Sequence, residues 1–166
     1  MFPAKILVVV DGSEGASLTL QAVTELAGGT GSELHLVHVV PVMPEQPRPY
    51  SWANSSWAKE KGQAQLEWRR LRGLELLDAR ARHVEEELSG TVTATHYREG
   101  RPEKEVVRLG EEIDAGLIVV TKRQTCPWFE RIFGAGFFEK FFWRTKRPLL
   151  VLGERGWRGS AVPRTF

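Results

Sequence analysis

Lys5-Ile-Leu-Val-Val-Val-Asp-Gly-Ser13 is an unbroken apolar run that ends abruptly in an acid, a glycine and a hydroxyl. A strand that is apolar on both faces belongs inside a parallel sheet, where helices cover both faces, and ligands of such sheets lie just beyond the strands' carboxyl ends. Asp11, Gly12 and Ser13 therefore stand where a ligand would lie. Ser13 is placed to cap a following helix, in which Ala16, Leu20, Val23 and Ala27 recur at helical spacing before Gly28-Gly29 stops it.

Outward from that unit, strands and helices alternate. Glu33 to Val40 reads as a second strand, stopped by Pro41. A long loop rich in proline and aromatic residues follows to about Trp57, holding Pro44, Pro47, Pro49, Tyr50 and Trp52. From Lys59 to Leu88 the spacing of Leu74, Leu77, Ala81, Val84 and Leu88 predicts a long helix with one buried face. Thr91 to Arg98 is β-branched and alternating, a third strand, and Gly100-Arg-Pro102 turns the chain into a helix through Val106, Val107 and Leu109. Gly116-Leu-Ile-Val-Val-Thr121 is a fourth strand and, after a further helix, Pro148-Leu-Leu-Val-Leu152 a fifth. Five strands alternating with four helices predict an α/β fold, an open, mainly parallel, Rossmann-like sheet with helices on both faces and right-handed crossovers.

The chain has 166 residues, 42% of them hydrophobic, which suits one domain over residues 1–153 with a tail at 154–166, flexible or part of an interface. A net charge of +2 gives little long-range pull on nucleic acid or membrane, so neither is expected as a partner. The single cysteine, Cys126, rules out an internal disulfide framework, and no apolar run approaches the roughly 20 residues that span a bilayer. A cytoplasmic protein without membrane insertion is expected.

The order and spacing of Lys5 to Ser13, Leu34-His-Leu-Val-His-Val39, Gly100-Arg-Pro102, Gly116 to Thr121 and Pro148 to Leu152 resemble the universal stress protein family over nearly the whole chain. The competing reading is another doubly wound α/β domain. The resemblance implies an ATP site built from glycines after the fourth strand and a later glycine followed by a hydroxyl residue. Glycines let the backbone approach phosphates, and amides opening the next helix supply donors. In this chain Thr121 and Gln124 stand at the two glycine positions and Gly134-Ala135 at the closing pair, so only Gly134 keeps the pattern. Aligning backwards from Pro148 moves the closing pair to Ala135-Gly136 and rescues nothing. A degraded phosphate cradle is expected, with no certain cofactor.

Other residues keep ATP or AMP possible. The resemblance implies contacts to base and ribose from the acid at Asp11 and the backbone near Val39, positions that carry over intact. Asp11 has an equally weighted second reading, a turn acid satisfying backbone amides. Lys122 and Arg123 either hold phosphates by charge or are solvated loop cations, the commoner case.

Catalytic and metal chemistry find little footing. His35 and His38 lie three apart on a strand and so face opposite sides, unable to share a metal; burial beside the core is expected of them. His83 and His96 lack ligands at metal spacing. Ser13 and Cys126 have no evident base to activate them, and Glu85 to Glu87 and Glu111-Glu112 read as solvated helix faces. No enzyme and no metal is expected.

The chain also carries 6 tryptophans and a dense aromatic stretch, residues 128–143, in which Phe137 and Phe141 would share a helix face with Phe138 and Phe142 farther round and Trp143 beyond. These cannot all fill one core stripe. Either the loop from Pro41 to Trp57 covers them or a protein partner does. The family resemblance further implies a homodimer through the last strand, whose apolar edge Leu149 to Leu152 a symmetric partner would cover.

Overall fold

A computed structural model describes residues 3–42, 56–87, 93–122 and 137–153. The opening apolar run forms β1 (Lys5–Val9), followed by α1 (Glu14–Ala27) and β2 (Glu33–Pro41). Then come α2 (Ser56–Glu87), β3 (Thr93–Gly100), α3 (Pro102–Glu112), β4 (Leu117–Lys122), α4 (Phe137–Arg144) and β5 (Leu149–Gly153). All strand pairs are parallel, in the order β3-β2-β1-β4-β5. β1 thus lies at the centre, with Ile6 in register with Leu34 on one side and Leu117 on the other.

Because side chains alternate along a strand, the continuous apolar runs feed two cores. Ile6, Val8, Leu34, Leu36 and Val119 pack with Leu20 and Val23 of α1 and Leu77 and Val84 of α2. Leu7, Val37, Val39, Ile118 and Val120 pack on the other face with Val106 and Leu109 of α3 and Phe141 of α4. Each fully buried side chain of this size contributes roughly 1.5–3 kcal/mol over leaving it exposed.

The element ends follow local chemistry. Ser13 caps α1, its Oγ accepting from the Ala16 amide at 3.1 Å. Pro102 opens α3, where its missing N–H costs nothing, with Glu103 and Glu105 in the first turn favoured by the helix dipole. Thr91 and Val92 lie outside the described residues, and β3 runs two residues past the Arg98 end expected from the sequence. The cause is its register: Pro41 pairs with Gly100, which adopts φ 141°, and so carries the strand past Arg98.

α2 departs from the expected pattern in one respect. Leu77 and Val84 are buried and Ala81 half-buried, but Leu74 is 43% exposed. Gly73 takes its place against the sheet, so close that a Cβ there would lie 2.8 Å from the His38 ring and 3.0 Å from the Tyr97 ring. Leu88 lies outside the described residues. N-terminal to Gly73, residues 62–72 are exposed on every side, including Leu66, Trp68 and Leu71. Since β2 delivers the chain to the carboxyl end of the sheet, these turns overhang that end, by roughly 16 Å at 1.5 Å per residue. No helix among the described residues is long and apolar enough to cross a membrane.

Candidate functional site

The chain winds outward from β1 through β2 to β3, then crosses back to β4 and outward again to β5. Between β1 and β4 the direction of winding reverses, and in sheets of this kind the usual ligand position lies beyond the carboxyl ends of the strands at that point.

Asp11, Gly12 and Ser13 form one turn at this point. Asp11 Oδ1 accepts from the Ser13 amide at 3.0 Å and from the Ser13 hydroxyl, and that hydroxyl in turn accepts from the Ala16 amide. The carboxylate is therefore built into the turn that starts α1. Gly12 is exposed, and a Cβ added there would meet nothing within 4 Å, so the turn is open on that side.

β1 itself is tied down on its β2 side. The Val10 amide donates to the Val37 carbonyl at 2.9 Å, and the Val10 carbonyl accepts from His38 Nδ1 at 2.9 Å. A carbonyl only accepts, so His38 carries its proton on Nδ1. His38 is half-buried as a fastener of the strand end from which Asp11 departs, a role the sequence does not announce.

Across the crevice, the Thr121 hydroxyl lies 2.8 Å from that of Thr19 on α1, both side chains buried. Thr121, which the family resemblance implies stands at a glycine position, thus turns its polar atom into the fold. Val39 is buried among Val37, Val106 and Phe141, leaving its backbone as the part able to face a base. Lys122 ends β4, in register with Gly153 of β5. Arg123, Gln124, Gly134 and Ala135 lie outside the described residues, as does the aromatic stretch before Phe137. Asp11, Gly12, Ser13, Val39, Thr121 and Lys122 all come to the carboxyl end of the sheet.

Among the described residues, no three His, Cys, Asp or Glu side chains gather as a metal ion would require. Thr19 escapes sequence reasoning because nothing marks a threonine beside an apolar stripe as the partner of a residue far along the chain.

The model of the universal stress protein family matches residues 4–153. The chain belongs to that family. Comparison with curated proteins gives no match. A universal stress protein family member from Burkholderia pseudomallei is 25% identical with a TM-score of 0.64, the alignment covering 90% of this chain and 95% of that one. A universal stress protein from Archaeoglobus fulgidus in complex with dAMP is 19% identical, with a TM-score of 0.55 and coverage of 91% and 98%. Another universal stress protein, in complex with cAMP, is 15% identical, with a TM-score of 0.58 and coverage of 93% and 99%. At those two identities the likeness is one of fold.

Proposed function

We propose that this universal stress protein is a non-catalytic regulatory module that works by protein contact, as a homodimer joined through β5, with a weakened nucleotide crevice. The observation that carries the reading is apolar exposure at the β5 end of the sheet. Phe142 and Trp143 on α4 are 65% and 79% exposed, and Val151 of β5, on the same side of the sheet, is 40% exposed. Among the described residues β5 pairs only with β4, leaving an apolar edge of the kind a symmetric copy covers. Phe142 and Trp143, edge to face at 6.0 Å between centroids, are favoured anchors for a protein partner. The Thr121 to Thr19 bond supports the weakened crevice, since it ties into the fold the residue standing where the resemblance implies a glycine that would admit phosphates.

Sedimentation of the wild type and of Val151→Lys tests this reading. A dimer that the substitution converts to monomer supports it, and a monomeric wild type sinks it.

A second reading, an adenine nucleotide switch, is favoured by the dAMP and cAMP complexes of the two structural neighbours. Here Asp11, Val39, Lys122, Arg123 and Gly134 would hold ATP or AMP. Thermal unfolding with each nucleotide at about 100 times a dissociation constant adds ~2.7 kcal/mol if the site binds, roughly 5 to 11 °C for this chain length. A shift abolished by Asp11→Ala would displace the first reading of the crevice.

A further inference from the structure

β2 and β3 carry a second polar cluster, on the α3 face of the sheet and away from the crevice. His35 of β2 is 8% exposed and His96 of β3 half-buried. His35 Nδ1 and His96 Nε2 are 3.0 Å apart, the ring planes differ by 9°, and the centroids are 5.3 Å apart. That centroid span is the N···N distance plus one ring radius at either end. The imidazoles therefore lie edge to edge in nearly one plane, joined by a near-linear N–H···N bond, and are not stacked face on face.

Such a bond needs one facing nitrogen to donate and the other to be a bare lone pair. Glu33 Oε2, 3.4 Å from His35 Nε2, draws the His35 proton to that side. His35 Nδ1 is then the acceptor and His96 Nε2–H the donor. One extra proton can be taken on the outer nitrogen of His96 with the bond intact, but only against the burial and neighbouring positive charge that disfavour it in the closed sheet. A second must enter at His35 Nδ1, and it sets N–H against N–H.

The surroundings oppose the charge. Arg98 lies two residues along β3, and its guanidinium donates to Glu112 of α3 at 2.6 Å, while Arg108 of α3 also reaches Glu112, at 3.3 Å. Burial first, then the charges of His35 and Arg98, hold His96 below its usual value, against a smaller opposing effect of Glu112. His38 and Tyr97 are on the opposite, α2 face and do not meet the couple.

We propose that the His35 and His96 couple is a proton-operated clasp, which fastens the edge strand β3 to β2 at neutral pH and lets that edge of the sheet open in acid. The sign follows from linkage. The unfolded imidazole of His96 titrates at 6.5 and the folded one lower. Its contribution is therefore complete above 6.5 and is lost as pH falls from there through the folded value. Within that window the opened edge gains about tenfold in population per pH unit for each proton the closed couple refuses.

Native-state hydrogen exchange tests the clasp. Amide protection in β3 and β1, corrected for intrinsic exchange, is compared at about pH 7 and about pH 5 in the wild type and in His96→Gln. The expectation is that β3 loses more protection than β1 on acidification, and that His96→Gln abolishes this excess whatever its effect at neutral pH. Equal losses in the two wild-type strands, or an excess that survives in His96→Gln, would overturn the proposal. Should the variant fail to fold, ring ¹⁵N spectra of the unsubstituted protein decide. Two linked steps in which both imidazoles shift together support the clasp, and two independent single-proton curves refute it.

Discussion

Replacing Thr19 and Thr121 by valine, singly and together, tests whether the residue at the family's glycine position serves the fold. The two hydroxyls are 2.8 Å apart, buried between α1 and β4. Removing one leaves the other dry and unpaired, at a cost of about 1–3 kcal/mol, whereas removing both leaves two methyls of similar shape and a change of less than about 1 kcal/mol. For a chain of 166 residues each kcal/mol moves the melting temperature by about 2–4 °C. Each single variant should therefore melt roughly 2 to 12 °C below wild type, and the double variant close to it. Calorimetry or thermal circular dichroism on the four proteins gives the coupling directly. A double variant destabilised by the sum of the singles would refute the reasoning and return Thr121 to the list of residues free to meet a ligand.

Gly73→Ala should lower the urea midpoint: alanine gains about 1 kcal/mol in a helix, but overpacking costs about 1–3 kcal/mol. The new Cβ would press on a His38 ring already tethered to the Val10 carbonyl, and a rise in midpoint would contradict that contact. Asp114 sits at φ 56°, so Asp114→Val should cost about 1–2 kcal/mol and Asp114→Asn little, because the exposed pair with Arg147 contributes weakly; equal melting of the two variants would count against it. Burial, then the hydrogen bond and charge of Glu99, push the Tyr97 hydroxyl up to about 12 from its usual 10.0. Its contribution to stability is complete below 10.0 and should drain away as pH rises through about 12. Phenolate absorbance should show one of the 2 tyrosines ionising late, and Tyr97→Phe should remove that step.

The fold is legible where a local pattern has one solution. The doubly apolar run from Ile6 to Val10 fits only a covered parallel strand, and Ser13 and Pro102 sit where capping rules place them. Leu74 lies off the buried face: spacings of three and four residues fit two neighbouring stripes of one helix. The choice between them was made by Gly73, which hydrophobicity does not mark but which alone allows α2 to approach the rings of His38 and Tyr97. The candidate site was half legible. Asp11 and Ser13 act within a few residues, so their turn could be read directly, whereas Thr19 meets Thr121 across 102 positions and His35 meets His96 across 61. Those pairings depend on strand order and register, which are consequences of the whole sheet.

The central place of β1 has a consequence for how the protein is made. β1 leaves the ribosome well before β4, its partner on one flank, which begins at Leu117. At about 5–20 residues per second, translation needs roughly 5 to 20 s to supply that partner. During this interval the hydrogen-bonding edge of Ile6 to Val8 is bare and apolar, a template for other nascent chains. A holding chaperone, or a fast-forming shield from α1, would be needed most in that window, and substitutions that slow pairing of β1 with β4 should reduce the yield of folded protein more than its final stability.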